Sequence, residues 1–241
     1  MKSVNKLITT NIGNLKFCWG SRTFIMGIIN MTPDSFSGDG IGYEIDQALA
    51  KALEFEKWGA DIIDVGGEST RPKHTYGENA AKFVNEEEEL DRVLPLISRL
   101  YREIRIPLSI DTYKAKIAKA AIEAGASMVN DISGLNADQD MGAVISKKQV
   151  PLVIVHNQSN TNYTDMVNDI IAEFREKLNL ALSLAIDPQN LILDPGIGFG
   201  KNLSQNLELL RRLNEFKVLG KPILIGTSRK SSIGDVLGLP V

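Results

Sequence analysis

Short apolar runs that end at an acid or an amide recur along this chain, and they constrain its fold more than any other feature. The runs are FIMGIIN, DIID, PLSID, SMVND and LILD, which end at Asn30, Asp64, Asp111, Asn130–Asp131 and Asp194. A buried strand rarely contains a carboxylate, so polar residues that recur where strands end indicate a site built from several loops. This arrangement is typical of an enzyme.

Size and composition narrow the class of protein. A chain of 241 residues, 43% of them hydrophobic, suits one domain over residues 1–241. The net charge of −3 has no basic stripe, so nucleic acid is not an expected partner. Cys18 is the single cysteine, which excludes an intrachain disulfide and favours a reducing compartment. No apolar run is long enough to suggest a membrane partner, so a soluble cytoplasmic protein is expected.

Alternating strand and helix patterns fill most of the chain. The predicted strands are Thr23–Ile29, Asp61–Val65, Pro107–Ile110, Ser127–Asn130, Leu152–Val155, Leu191–Leu193 and Ile223–Ile225. The predicted helices are Ile45–Trp58, Glu86–Arg102, Tyr113–Ala124, Asp138–Lys148, Thr164–Ile186 and Ser204–Phe216. Such alternation predicts parallel strands joined by right-handed crossovers. A hairpin over Leu7–Thr23, with its turn at Asn11–Asn14, is expected to close the lower mouth of a barrel.

The strand count falls one short of a (β/α)8 TIM barrel. Only sixteen residues follow Ile225, whereas a further helix and strand need roughly 30. We therefore expect an α/β barrel with only seven core strands and an N-terminal β-hairpin, a barrel that is C-terminally incomplete. Its first and seventh strands would have open edges unless a partner covers them.

Residues at the strand ends should converge at one mouth of such a barrel. Convergent carboxylates need a cationic ligand or one with several donors, such as the edge of an aminopyrimidine ring. A metal ion is the alternative, because hard cations also gather oxygen ligands. For Asp64 and Asp131, a helix cap after the strand is an equally good interpretation.

Four loops add candidate residues. The loop after Asn30 has turn residues and Phe36, and is expected to act as a lid. The GGESTRP loop carries Thr70 and Arg71, while Asp194-PGIGFGK lacks the Walker A spacing. GTSRKSS follows the seventh strand. Neither His74 nor His156 has a local partner that marks a general base, and no GxSxG motif occurs.

Six motifs in order resemble the dihydropteroate synthase family from about Phe24 to Ile233. They are MGIINMTPDSFSGDG, GGESTRP, SIDTYK, NDISG, LDPGIGFGK and GTSRK. The resemblance implies a pterin-binding type of barrel and a cytoplasmic homodimer. It also implies a transferase that joins a pterin diphosphate to 4-aminobenzoate in folate biosynthesis and is a target of sulfonamides.

The resemblance also assigns residues. It implies that the pterin is held by Asp111, Asn130, Asp194 and Lys230, and that Asn30 binds Mg²⁺ and the diphosphate. The residues expected around 4-aminobenzoate are Phe36, Thr70, Arg71, Pro72, Phe199 and Ser231. In the implied mechanism the diphosphate leaves first, and the amine attacks a pterin-methyl cation. Asp111, Asp194 and Lys230 would serve catalysis, and a loop carboxylate, Asp39 or else Asp34, would lie over the methylene.

Two alternatives remain beside this assignment. The family's eighth strand carries an R-x-H motif that has no counterpart here, so a catalytically disabled pterin-binding protein is one of them. The other is a methyltetrahydrofolate:corrinoid methyltransferase, whose barrel is similar. The TPDSF and STRP loops favour an aminobenzoate site over that second alternative.

Overall fold

The structure, a computed structural model, describes residues 8–31, 45–69 and 83–238. It begins with a hairpin of two antiparallel strands, β1 (Thr9–Ile12) and β2 (Leu15–Cys18). Gly13 forms the turn with a φ of 57°, a conformation that favours glycine. The predicted hairpin and its turn are therefore confirmed.

Six parallel strands form the central sheet, in the order in which they occur along the chain. They are β3 (Met26–Asn30), β4 (Ile62–Gly66), β5 (Leu108–Asp111), β6 (Met128–Asp131), β7 (Leu152–Val155) and β8 (Leu191–Asp194). Each pairs with the next, which is the pattern of a barrel wall whose crossovers all run the same way. The α/β barrel class predicted from the sequence is confirmed.

The predicted seventh strand is present as a single bridge. Ile223 pairs with Leu193 in parallel, Leu193 N–H donates to Pro222 O, and Leu224 N–H donates to Leu193 O. Among the described residues this segment forms only that one bridge with β8, and not a continuous ladder. The six regular strands and this bridge together occupy the places of the seven predicted strands.

Seven α-helices occur in the described part of the chain. They are α1 (Ile45–Lys57), α2 (Glu86–Glu103), α3 (Ala115–Ala124), α4 (Met141–Lys148), α5 (Met166–Ser183), α6 (Leu203–Arg211) and α7 (Ser231–Leu237). Two 3₁₀ helices cover Pro188–Asn190 and Leu213–Leu219. Within residues 8–31, 45–69 and 83–238, none of the helices is long and apolar enough to cross a membrane.

Local signals explain where the helices begin and end. The Asn85 side chain accepts a hydrogen bond from Glu88 N and caps α2, and α3 ends at Gly125 with a φ of 128°. The α5 helix ends at Ser183, before the predicted Ile186, because Ala185 takes a left-handed φ of 58°. The predicted Ser204–Phe216 helix divides into α6 and a 3₁₀ helix.

The hairpin closes the lower end of the barrel. Ile12 and Phe17 are buried against apolar side chains inside the barrel, which are Ile62, Met128, Val153, Val155 and Ile192. The Thr10 hydroxyl donates to Gln189 O, just before β8 begins. This apolar floor leaves the upper mouth, where the strands end, as the place for polar residues.

Candidate active site

Strand register places several of the predicted site residues side by side. Asn30 pairs with Gly66, Gly66 with Asp111, and Asp111 with Asn130 in neighbouring strands. Residues paired in this way point to the same face of a parallel sheet. Asp64 lies two residues before Gly66, so it shares this face one layer lower. The interior above the apolar floor is therefore lined by acids and amides.

Asp64 holds the Asn130 amide in one orientation. Asn130 Nδ2 donates to Asp64 Oδ2 over 3.1 Å, which leaves Asn130 Oδ1 as an acceptor. Within the described residues, four buried atoms have no hydrogen-bond partner: Asp64 Oδ1, Ser109 Oγ, Asp111 Oδ1 and Asn130 Oδ1. An unpaired buried polar atom costs about 1–3 kcal/mol. Four in one cluster indicate a site for a ligand that carries several N–H donors.

Burial and like charges shift the titration of these acids. Burial raises the pKa of Asp111 well above its usual value, and the charges of Asp64, Glu89 and Asp131 raise it further. Burial also raises the pKa of Asp64, although the bond from Asn130 opposes this effect. Ionising either acid costs additional free energy when the other is already ionised. A bound ligand that donates hydrogen bonds to a carboxylate would relieve this cost.

Asp194 joins the group from the end of β8. Val153 pairs with Ile192 and Val155 with Asp194, so Asp194 lies on the interior face above the other acids. Burial raises its pKa to about 6, against the lowering effects of the Gly196 N–H and of two lysines, Lys230 and Lys201. Gly196 N donates to Asp194 Oδ1 over 2.7 Å, which fixes the carboxylate in its turn.

Lys230 provides the positive charge at this mouth. Its Nζ lies 4.6 Å from the centre of the Phe199 ring, a cation–π contact. Burial lowers the pKa of Lys230, while the charges of Asp194 and Asp111 oppose that shift. The predicted residues Asp111, Asp194, Lys230 and Phe199 therefore lie around one mouth. Ser231 follows Lys230 in the chain as the first residue of α7.

Asp131 does not belong to this mouth, contrary to the expectation that all the strand-end acids converge there. Its Oδ1 accepts from the N–H and hydroxyl of Ser133, and its Oδ2 accepts from Leu135 N. As the neighbour of Asn130, it points to the opposite face of the strand. It caps the turn that follows β6, which also differs from the helix cap considered from the sequence, because the next helix, α4, begins only at Met141.

Several predicted residues lie outside the part of the chain that the structure describes. They are Phe36, Asp39, Thr70, Arg71 and Pro72, together with the alternative residue Asp34. The two loops that contain them start at the end of β3 and just after β4. Each loop therefore begins close to Asn30 or Gly66.

Lys114, a residue that the sequence did not single out, links the ends of the second of these loops. Its Nζ donates to Glu68 Oε2, to Val84 O and to Glu89 Oε2, each over 2.6 Å. Glu68 precedes the loop, and Val84 follows it. The sequence did contain a signal for this role, because Lys114 is the lysine of the SIDTYK motif. A lysine shortly after an acid at the end of a strand can reach the neighbouring loops.

The fit of a divalent cation can be tested at Asn30. Within residues 8–31, 45–69 and 83–238, no group of three or more His, Cys, Asp or Glu side chains has the geometry of a metal site. A Cβ at Gly66 would lie 3.0 Å from Asn30 Oδ1 and 3.6 Å from Asp111 Oδ2, so glycine leaves room between these oxygens. Mg²⁺ often takes few protein ligands and completes its shell with phosphate oxygens and water. The residues fit that partial role.

The chain is similar to known proteins in sequence and in fold. A family sequence profile described as pterin binding enzyme matches residues 26–240. The dihydropteroate synthase of Clostridium beijerinckii is 51% identical over 230 residues, which cover 95% of this chain and 83% of that protein.

Two solved structures are similar over nearly the whole chain. Dihydropteroate synthase from Clostridium difficile, crystallised in the presence of pteroic acid, is 49% identical with a TM-score of 0.85, covering 93% of this chain and 83% of that one. The Xanthomonas albilineans enzyme with 4-aminobenzoic acid is 37% identical with a TM-score of 0.89, covering 98% and 83%.

Proposed function

The chain belongs to the pterin binding enzyme family, and we propose on that basis that it is a dihydropteroate synthase. It condenses 6-hydroxymethyl-7,8-dihydropterin diphosphate with 4-aminobenzoate and yields 7,8-dihydropteroate and diphosphate, a transferase reaction of folate biosynthesis. The observation that carries this function is the buried cluster of Asp111, Asn130 and Asp194 on the interior face of the barrel, where Asp111 Oδ1 and Asn130 Oδ1 are unpaired, in a chain that matches this family.

The donors of a pterin ring suit the acceptors of this cluster. The ring's amino group and its neighbouring N–H form a flat edge with parallel donors, to which a carboxylate can bind through both oxygens. Asp111 is proposed to accept from this edge, and the fixed Asn130 Oδ1 accepts from another ring N–H. Asp194 and Lys230 are proposed to contact the remaining polar atoms of the ring.

The same charges suit the chemical step. The bond between the pterin methylene carbon and the diphosphate oxygen breaks, and a bond from the aminobenzoate nitrogen to that carbon forms as the nitrogen loses a proton. Positive charge that develops on the pterin is stabilised by the carboxylates of Asp111 and Asp194. Lys230, over the Phe199 ring, lowers the pKa of both acids and so favours their charged forms.

Asn30 is proposed to contribute to a Mg²⁺ site. Its amide oxygen, beside the space above Gly66, would supply one ligand, and the diphosphate would supply others. When bound, Mg²⁺ neutralises charge on the departing diphosphate. The contribution of this chain is to hold the amide oxygen at the end of β3, where it faces the same space as Asp111.

The second substrate is proposed to bind above the pterin, at the outer part of the mouth. Phe199 and Ser231 are the described residues assigned to it, next to Lys230 in space and in sequence. Phe36, Thr70, Arg71 and Pro72 are proposed to contact it from the two loops, and Asp39 is proposed to lie over the methylene. A lid over this site would keep water from the cation.

Three further properties are proposed for the whole protein. The chain is a single barrel domain, and a reducing cytoplasm suits its lone Cys18. It forms a homodimer, because apolar side chains of α6 and α7 are exposed, among them Leu207, Ile233 and Val236. Light scattering at several concentrations tests this last point, and a mass of one chain at all of them would exclude it.

The function is tested by diphosphate release from purified protein. Release should require pterin diphosphate, 4-aminobenzoate and Mg²⁺ together. Asp111→Asn should abolish it, whereas Asp91→Asn, an exposed acid on α2, should leave it unchanged. Pterin binding without release in the unmodified protein would instead support a binding protein that lacks catalysis.

A further inference from the structure

The glycine-rich turn at the end of β8, residues 194–201, surrounds a buried lysine. Lys201 is 4% exposed, and its Nζ donates to Gly196 O over 2.9 Å and to Phe199 O over 2.8 Å. A third contact joins it to His156 Nδ1 over 2.9 Å. An ammonium group has three N–H donors, so these acceptors use all of them. Lys201 therefore closes the turn on itself and has no donor left for a substrate.

The contact with Lys201 fixes the protonation of His156. Because the ammonium donates to Nδ1, the proton of the neutral imidazole must be on Nε2. Nε2 lies 3.2 Å from Glu173 Oε2, and Glu173 Oε1 lies 2.8 Å from Lys177 Nζ. Burial lowers the pKa of His156, and the contacts of Glu173 with His156 and Lys177 lower the pKa of that acid to about 2 despite its burial. In the row of contacts Lys177–Glu173–His156–Lys201, both lysines are therefore positively charged, Glu173 is negatively charged and His156 is neutral.

Burying Lys201 in this way is costly, because its three acceptors are neutral. Burial lowers its pKa to about 7. An apolar side chain would fill the space at less cost in stability. A role for the positive charge of Lys201 in holding the surrounding groups accounts for this cost. The turn that it holds contains two residues of the proposed site.

Those two residues are Asp194 and Phe199. Asp194 starts the turn and accepts from Gly196 N, and Gly196 O is one of the acceptors of Lys201. Phe199 O is another, and the Phe199 ring lies under Lys230. The turn also fits tightly against the end of β7, where a Cβ on Gly196 would overlap His156 O.

We propose that Lys201, held by His156 and Glu173, is a positioning residue that sets the place of the Asp194 carboxylate and the Phe199 ring for pterin binding. The inference rests on the proposed function, since it concerns the same site. Lys201 touches the backbone of the turn and the imidazole, and acts on the ligand through Asp194 and Phe199.

Pteroic acid binding, followed by fluorescence between pH 5 and 7.5, tests this role without requiring turnover. The charged groups that surround the turn are His156 after β7, Glu173 and Lys177 on α5, Lys230 before α7 and Asp111 on β5. Unmodified protein should lose affinity as the pH falls through the pKa of Asp194. Lys201→Met should weaken binding about tenfold or more at pH 6.5, below the pKa of about 7 of Lys201, a typical loss for a bond to a charged group.

The pH profile separates positioning from a general structural effect. The charge of Lys201 lowers the pKa of Asp194, so in Lys201→Met the loss of affinity should begin at a higher pH. Lys201→Arg keeps the charge and should restore the profile. Lys148→Met, which removes a lysine that pairs with Glu123 at the far end of α4, is the matched control and should bind as the unmodified protein does. Unchanged affinity and an unchanged profile in Lys201→Met would overturn the proposal.

A second pair of variants decides the question if Lys201→Met does not fold. The oxygen of Asn can take the place of imidazole Nδ1, whereas the Gln side chain reaches the place of Nε2. His156→Asn should therefore keep an acceptor for Lys201 and bind at least about fivefold more tightly than His156→Gln. Equal affinities would overturn the proposal. Failure of the unmodified protein to bind pteroic acid would instead refute the proposed function.

Discussion

Asp194→Asn should stabilise the ligand-free protein while removing its affinity for pterin. The Asp194 carboxylate is buried, and burial raises its pKa from the usual 3.8 to about 6. At about 1.4 kcal/mol per pKa unit, ionising this group costs the folded state about 3 kcal/mol. Asparagine keeps an oxygen that can accept from Gly196 N and has no charge to bury.

The pH dependence of stability follows from the protonation of Asp194 in the folded and unfolded states. Between pH 4 and pH 6 the folded state keeps a proton that the unfolded chain has released, so the stability of the unmodified protein falls as the pH rises. Below pH 4 both states are protonated, and the variant gains little. Above pH 6 the full difference is present. At pH 7.5 the gain of about 3 kcal/mol corresponds to a rise in Tm of about 6–12 °C for a domain of this size.

Urea unfolding at pH 4 and pH 7.5 measures this difference, with Asp91→Asn as a control for loss of an exposed charge. Pteroic acid binding is measured on the same samples. The reasoning would be refuted if Asp194→Asn were as stable as the unmodified protein at pH 7.5, or if its gain were the same at both pH values. Such a result would mean that burial does not dominate the energetics of this acid.

Three other substitutions test separate parts of the account. Asp111→Asn should abolish pteroic acid binding in a fluorescence titration, because it replaces an acceptor of the ring edge by an amide; retained affinity would exclude Asp111 as a ligand. Lys114→Met should lower the free energy of unfolding by about 3–5 kcal/mol, since it leaves the buried Glu89 without its cation, and a urea midpoint within error of the unmodified protein would contradict this. Gly196→Ala should weaken pteroic acid binding more than tenfold, because its φ of 72° and the nearby His156 O leave no room for a Cβ; calorimetry that finds equal affinity would show that the turn can move.

The strand pattern of the sequence was sufficient to locate most of the described site. Asp111, Asn130 and Asp194 each follow an apolar run, and each lies at the end of a strand on the interior face. Asp64 and Asp131 show the limit of this approach. Both follow apolar runs, but strand register decides which one faces the interior, and register depends on pairing between strands distant in sequence.

The lysine contacts could not be predicted for a related reason. Lys201 meets His156 and lies near Glu173, and these residues come from three separate elements. The spacing of Glu173 and Lys177 on one helix face was the only local signal, since residues four apart on a helix can pair. The absence of a local partner for His156 in the sequence did not mean that the folded protein lacked one.

The most direct test of the central claim is the identity of the product. The purified protein is incubated with isotopically labelled 4-aminobenzoate, pterin diphosphate and Mg²⁺. The products are then separated, and they are identified and quantified by mass spectrometry. The account predicts labelled 7,8-dihydropteroate in an amount equal to the diphosphate released, with none in Asp111→Asn. Release of diphosphate without a labelled product would show hydrolysis of the pterin substrate, and would contradict the account.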